Sequence, residues 1–504
     1  MNIVNIMNFV RRIDEREENS TAQLLDLTKN QLELVNSFNV DNTFLLQYDA
    51  LCDDDFVNLF KLNATDKTEL GIWFEVVEPL TTACGMPYRS DMGWKWDWHI
   101  IPGFSMAYTN AQKELLIDET MRKFKDVFGY YPKTFASWVI DTYTLNYLNN
   151  NYDINAVAIC RDQTNTDAYT LKGGYFNQAY FPSVNNIFTP AQSKKTQINV
   201  PVFRLLGPCP IHNYDNHKYS SKQFIEQDKD YACFTLEPCW GMGSHKNCVN
   251  WMFKTYFDNE NLGFGYAQIG QENSFFPYKE NILKGLKYQI EKLLEKGVSF
   301  KKMSDTGELF KNRYANGTPA TAVVALDNFD TVDVQSVYYN CKNYSANLFR
   351  YEDKLFFRSL YLFDDRIKDF YLENVCTTFD ALFENLPIID TRECPSKKEC
   401  GLNINANISP FAAKKAGDGV LNITFGDNYV TFFEDSIVIN ASELLLYKNS
   451  ILKTVSIYDN DVLFKYKNAN YALKVNDATI KMDNDYIKIT ASSKNPITLY
   501  PKKI

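Results

Sequence analysis

One pattern repeats through the first 315 or so residues: a short apolar run, then a stretch with helical periodicity. The apolar runs are IVNIMNFV (3–10), NTFLLQYDAL (42–51), LGIWFEVVEPL (70–80), TFASWVID (134–141), NAVAIC (155–160), PVFRLL (201–206), YACFTLEP (231–238), GFGYAQIG (263–270) and the short VSFKKMS (298–304). Between them, 20–38 reads as an amphipathic helix behind a Ser cap, 109–129 as a helix closed by glycine, and 53–62 and 278–296 as further helices. Strands separated by helices run parallel, and this many in one stretch predict a closed α/β barrel. An open dinucleotide-binding sheet is disfavoured, because no GxGxxG loop follows the first run.

After about residue 320 the period changes from helical to two. VLNITFGDNYVTFFEDSIVIN and VLFKYKNANYALKVNDATIKMDNDYIKIT alternate apolar and polar residues and break at Gly-Asp-Asn, Asn-Ala-Asn and Asp-Asn-Asp turns. This predicts an antiparallel β-sandwich over 319–504, behind an α/β-barrel domain over 1–318. Two cores are also what 504 residues require. All seven tryptophans and all four histidines lie at or before residue 251, so stacking surfaces and near-neutral titrating groups belong to the barrel. The net charge of −9, with no basic run, argues against nucleic acid and anionic membrane as partners. With no basic n-region at the N-terminus and no apolar run of about 18 residues, the expected location is cytoplasmic. The eleven cysteines form no CxxC pair; Cys394 and Cys400 could close a small loop, but reduced thiols fit that location better.

Parallel barrels build their sites at the carboxyl ends of the strands. Here those ends carry Asp14 and Glu15, Asp49, Glu75 and Glu78, Asp141, Arg161-Asp162-Gln163, Glu237, and Gln271-Glu272. One such acid is commonplace as a helix cap, and Asp141 is placed to cap the segment that follows it. A ring of them beside aromatic residues suits a polyhydroxylated sugar: carboxylates and amides hydrogen-bond hydroxyls, aromatic faces cover C–H faces, and paired acids transfer protons. DMGWKWDWH (91–99) alternates Trp94, Trp96 and Trp98 with Lys95, Asp97 and His99, predicting an aromatic face and a polar one. A purely structural aromatic layer would show the same alternation. Glu75 shares its expected face with Trp73, and the alternative to a catalytic role is a buried ion pair with Arg89 or Arg161. Tyr175, Asn177, Gln178 and Tyr180 repeat the sugar-compatible chemistry on a loop.

FGYYPKTFASWVIDTYTLNYL (128–148) and YAQIGQENSFFP (266–277) resemble two carboxylate-bearing strand ends of glycoside hydrolase family 57. The set WKWDWH, FGYYPK, SWVIDTYTLNYL, CRDQTNTDAYTL, GGYFNQAYFPS and GQENSF is similar to a bacterial family known only as a domain of unknown function. That family falls in the glycoside hydrolase/deacetylase superfamily of distorted, seven-stranded α/β barrels. The resemblance implies a metal-independent glycosidase that needs no cofactor and acts on a carbohydrate. It places Asp141 as nucleophile and Glu272 as general acid, about 5–5.5 Å apart if retaining and roughly 6.5–9.5 Å if inverting. Glu75, Trp96, Asp97, His99, Trp138, Asp162, Gln163, Glu237, Gln271 and Asp49 are the expected substrate-binding groups. The family has Glu where this chain has Asp141, and Asp-Gly-Glu where it has Gln271-Glu272, so Glu75 or Glu237 stand ready as the missing acid. The superfamily's zinc deacetylases carry a Thr-Phe-Asp-Asp stretch and histidines four apart, which this chain lacks. Two other classes remain: a metal-dependent carbohydrate deacetylase, requiring Asp49, Asp97 and His99 to converge, and a non-catalytic carbohydrate-binding protein.

Overall fold

In the computed structural model the described residues are 1–504 except 19, 161–162, 167–168, 213–233, 393–398, 407–408, 452–453, 468 and 493–494. Seven parallel strands form the N-terminal sheet: β1 (Asn2–Val10), β2 (Asn42–Leu46), β3 (Thr68–Trp73), β4 (Thr134–Ala136), β5 (Ala156–Ile159), β6 (Val202–Arg204) and β7 (Gly265–Ile269). Their order is β7-β1-β2-β3-β4-β5-β6, with Ser299–Phe300 adding a two-residue edge beside Ile3 and Val4. The register aligns Phe9 with Leu45, Leu45 with Gly71, Ile72 with Phe135 and Ala158 with Phe203. Helices Thr21–Phe38, Asp54–Asn63, Asn110–Phe128 and Lys279–Glu295 cover the outside, close to their expected bounds. The third of these starts at a Thr109–Gln112 capping box and ends at Gly129, where φ is 85°.

The curved sheet is the expected distorted seven-stranded barrel, but it is open on one side where the strand pattern predicted closure. Among the described residues no ladder joins β6 to β7; instead Gln268 Oε1 accepts the Leu206 N–H at 3.3 Å. Leu206 and Gly207 turn the chain through left-handed backbone, with φ of 70° and 62°. That turn also corrects one expectation: the apolar run at 231–238 is not a strand over its described part, Phe234–Pro238. It is tied to the turn by Leu236 N–H to Leu206 O (3.0 Å) and Cys209 N–H to Phe234 O (2.9 Å). A buried loop and a buried strand share the same apolar signature.

The C-terminal region is a sandwich of two antiparallel sheets. One runs from Thr321–Ala325 through Val334–Asn340, Tyr344–Tyr351 and Lys354–Leu362 to Glu443–Tyr447 and Tyr486–Ala491; the other runs from Ala412–Gly417 to Thr454–Tyr458. Val337, Leu348, Phe357 and Ile489 from the first interlock with Ile423, Phe432, Leu473 and Leu499 from the second. After Leu362 the chain leaves its sheet and crosses to the barrel. There Asn185 Nδ2 donates to Asp365 O (2.8 Å), and Cys376 N–H donates to Met106 O (2.8 Å). Ala381–Glu384 then pairs in parallel with Tyr169–Lys172, before Leu386–Asp390 returns to the sandwich. Tyr175, Asn177 and Gln178, expected to meet sugar, are buried and bind the backbone oxygens of Pro319, Tyr266, and Leu262 and Phe264.

At Gly270, which ends β7, φ is 126° and an added Cβ would run into the Met7 carbonyl of β1. Gly270→Ala is expected to cost at least about 2–3 kcal/mol of stability, read by urea denaturation.

Candidate active site

Alternation along the strands explains which side chains meet. Phe9, Leu45, Trp73, Ala136, Ala158, Phe203 and Tyr266 face inward and form a separate core inside the barrel. Phe9 stacks on Trp73 (centroids 4.1 Å), and Trp138 meets both edge-on at 5.5 and 5.1 Å. Two residues further along each strand, at the carboxyl end, the inward positions become Arg11, Gln47 and Glu75. The barrel is therefore aromatic inside and charged at its mouth.

Arg11 organises that mouth. It is buried, and its Nη2 lies 2.9 Å from Glu272 Oε2 and 3.7 Å from Glu75 Oε2. The indole Nε1 of Trp96 donates to Glu75 Oε2 at 2.6 Å, and the Arg11 guanidinium lies 4.2 Å over the Trp96 ring. Arg16, forked onto Asp14 at 2.9 and 2.6 Å, lies over the same ring at 4.9 Å. Asn273 fixes Arg11 by accepting from its N–H (3.1 Å) and donating to its carbonyl (2.8 Å). Burial alone would lower the Arg11 pKa, but Glu75, Glu272 and Asp14 outweigh it and hold it above its usual value. For Glu75 burial dominates and raises the pKa; Arg11 and the Trp96 hydrogen bond oppose it only in part. Glu75 thus pairs with Arg11, in place of the Arg89 or Arg161 expected. Arg89 binds the Ala107 carbonyl and lies over Tyr108, and Arg161 is outside the described residues.

The other expected residues separate into groups. Asp49 is buried and accepts the N–H groups of Arg12 (2.9 Å) and Ile13 (2.7 Å), so it shapes the turn that presents Arg11. Burial pushes its pKa up to about 6, against those hydrogen bonds. Glu237 accepts from Thr235 Oγ1 (2.9 Å) and faces Gln271 Nε2 at 3.5 Å, while Gln271 Oε1 takes the Cys239 N–H (2.9 Å). Asp162 lies outside the described residues, as does the side chain of Gln163, whose backbone forms a hairpin with Tyr169–Lys172. Cys394 is likewise outside.

Asp141 is fully buried and caps helix Thr142–Asn151 by accepting the Thr144 N–H at 3.1 Å. It also receives Lys113 Nζ (2.9 Å), Ser105 Oγ (2.5 Å) and Thr144 Oγ1 (2.7 Å), and none of these partners contacts Glu272. Lys113, on Asn110–Phe128, is equally buried.

The 91–99 motif is a bent segment, not a strand. Its tryptophans still gather, with ring centroids 5.4 Å apart for Trp94–Trp98 and 6.0 Å for Trp96–Trp98. The polar set divides: Lys95 is exposed, whereas Asp97 is buried and accepts from Ser90 Oγ (2.8 Å) and the His99 N–H (2.9 Å) and pairs with His99 Nδ1 (2.8 Å). Asp91, Asp97 and His99 bring one ligand atom each within 4.8 Å of one another, so they are the group among the described residues able to hold a cation. Asp49, required for the expected metal site, is held by the Arg12 and Ile13 amides instead.

Sequence reasoning missed Arg11 and Gln47. Gln47 is fully buried, and neither end of its carboxamide has a hydrogen-bond partner among the described residues. Extending the period-two alternation past Phe9 and Leu45 would have found Arg11 and Gln47.

Two stability predictions follow from burial. Lys113→Met leaves the Asp141 carboxylate uncompensated and is expected to cost about 3–5 kcal/mol. Because Asp49 titrates higher in the folded than in the unfolded chain, its contribution is greatest below the ordinary carboxylate range and declines as pH rises to about 6. The decline amounts to at most about 3 kcal/mol, and Asp49→Asn should remove it from denaturation midpoints compared between pH 4 and 7.

No family model matches the chain, and no curated protein matches it. Among solved structures it is similar to a candidate glycoside hydrolase/deacetylase from Parabacteroides distasonis, with a TM-score of 0.56 and 13% identity over 78% of this chain and 92% of that one. Two weaker likenesses are a candidate polysaccharide deacetylase from Pseudomonas aeruginosa PAO1 (TM-score 0.38, 10% identity, 62% and 92% covered) and a family 57 branching enzyme from Thermococcus kodakaraensis (0.31, 10%, 62% and 70%). At these identities the likeness is one of fold: the chain shares its architecture with a glycoside hydrolase/deacetylase-type protein.

Proposed function

We propose that this chain is a carbohydrate-active hydrolase whose acid pair is Glu75 and Glu272. One observation carries the reading: two buried carboxylates, from strand ends about two hundred residues apart, share a single Arg11 nitrogen at the barrel mouth, beneath a tryptophan. Sharing one nitrogen keeps the two carboxylates as near each other as a glycosidase acid pair requires. Their environments differ in the way acid–base partners require: burial raises Glu75 toward the protonated form, while Glu272 makes the closer contact with the guanidinium. In the reaction, Glu75 gives its proton to the leaving glycosidic oxygen as Glu272 attacks the anomeric carbon and the C–O bond breaks. Water then attacks the glycosyl ester, passes a proton to Glu75 and frees Glu272. Glu237 and Gln271 lie further round the rim. Asp141, with its acceptor sites taken by Lys113, Ser105 and Thr144, serves here as the support of helix Thr142–Asn151.

The second reading, a metal-dependent carbohydrate deacetylase, is favoured by the Asp91–Asp97–His99 group, whose carboxylate and imidazole donors fit a divalent cation. Against it, both Asp97 oxygens already hold Ser90 and His99.

A panel of aryl glycosides and acetylated glycans separates the two. Glu75→Gln and Glu272→Gln should each lower glycoside turnover by on the order of 10²–10⁴-fold with the fold intact. Because Glu75 acts protonated, kcat/KM should fall on the alkaline side through a pKa above the ordinary carboxylate range, and Glu75→Gln should abolish that limb. Stoichiometric bound metal with chelator-sensitive release of acetate would overturn the glycosidase reading in favour of the second.

A further inference from the structure

The crossing segment from the sandwich ends against the tryptophan motif. The Ile100 N–H donates to the Phe379 carbonyl at 2.9 Å, and the Phe379 ring meets His99 edge-on at 5.2 Å. His99 in turn stacks on Trp98 (5.3 Å, 29° between planes), and Trp98 meets Trp94 at 5.4 Å. Four rings thus follow one another without a gap, three from the barrel and the last from the second domain. They are not core: Trp94 and Trp98 are half-buried, the His99 side chain is 29% exposed and Phe379 is 38% exposed. Trp96 is different, being 2% exposed and committed to Arg11 and Glu75.

The row is also held rigid. Asp97 takes both the backbone N–H and the Nδ1 side of His99, and Ser90 fixes the other Asp97 oxygen. This sets the imidazole plane and turns its Nε2 edge away from Asp97. Phe379 is placed by the strand Ala381–Glu384 pairing with Tyr169–Lys172, and by the Thr142 hydroxyl bonded to Asp369 at 2.8 Å. A preorganised aromatic row with a single polar edge suits a chain of pyranose rings: apolar C–H faces stack on the rings, and ring hydroxyls reach the imidazole. Trp96 contacts both Trp98 and Glu75, so the row is continuous with the acid pair.

We propose that Trp94, Trp98, His99 and Phe379 form an extended glycan-binding platform, and that the second domain, through Phe379, makes the enzyme select oligosaccharides over single sugars. This rests on the carbohydrate reading above. It goes beyond it by naming a binding surface and a chain-length preference, and by giving the sandwich a part in substrate recognition.

The test measures binding of α-1,4- and β-1,4-linked gluco-, xylo- and manno-oligosaccharides of one to six units, by tryptophan fluorescence and calorimetry. Glu272→Gln serves as background to stop turnover, and aryl-glycoside cleavage by the otherwise wild-type chain is followed in parallel. Affinity is expected to rise with chain length, to fall at least tenfold for the longer ligands in Phe379→Ala and Trp98→Ala, and to recover in Phe379→Trp. In Phe379→Ala, aryl-monoglycoside cleavage is expected to fall by a smaller factor than binding of the six-unit ligands does. Longer glycans binding equally well to Phe379→Ala would overturn the platform and leave the acid pair standing. So would aryl-glycoside cleavage without binding of any oligosaccharide. Neither binding nor cleavage of any probe would overturn both.

Discussion

A single buried guanidinium holds the mouth of this barrel together. Arg11 follows the strand that pairs with β2 on one side and β7 on the other, so it lies between the ends of those neighbouring strands. It binds Glu272 beyond β7 and Glu75 beyond β3, and it packs on Trp96 from the loop between β3 and β4. Burying an isolated charge is prohibitive; burying it between two carboxylates and an indole face is tolerable only when the geometry is fixed. The fixing is visible in Asn273, which holds the Arg11 backbone at both its N–H and its carbonyl, and in Asp49, which holds the next two amides. Two carboxylates against one buried cation leave one negative charge in excess, and burial resolves it by raising Glu75.

The second buried ion pair, Asp141 with Lys113, resembles the first in chemistry and differs in surroundings. Asp141 caps a helix, accepts two hydroxyls and an ammonium, and ties that helix to Asn110–Phe128. Each of these contacts is a hydrogen bond that holds the carboxylate in place. Glu75 keeps a strongly opposed charge balance, with Glu272 close enough to raise its pKa further. Strand-end position alone therefore does not fix the surroundings of an acid; the count and sign of its partners do.

The two domains are joined by more than their linker. The excursion between Leu362 and Leu386 carries a sandwich segment over the barrel, where it pairs with a barrel hairpin and reaches the 91–99 motif. The last helix ends at Arg313 and the first sandwich strand starts at Thr321, but Phe379, from beyond that point, meets His99.

Features that depend on local periodicity are legible in the residues alone. Apolar runs at regular intervals dictated the parallel strands, helical spacing and caps dictated the covering helices, and period-two alternation dictated the antiparallel sandwich. The sequence also located the acids at the strand ends and the three tryptophans that gather in one cluster. Tertiary structure decided which of these meet. That Asp141 faces Lys113, that Glu75 pairs with Arg11 instead of Arg89, and that Phe379 reaches His99 from 280 residues away are matters of register, barrel curvature and a crossing segment. The reason is physical: hydrophobic periodicity fixes the face on which a side chain emerges, whereas ion pairing and stacking depend on distances between strand ends, which only the packed sheet sets.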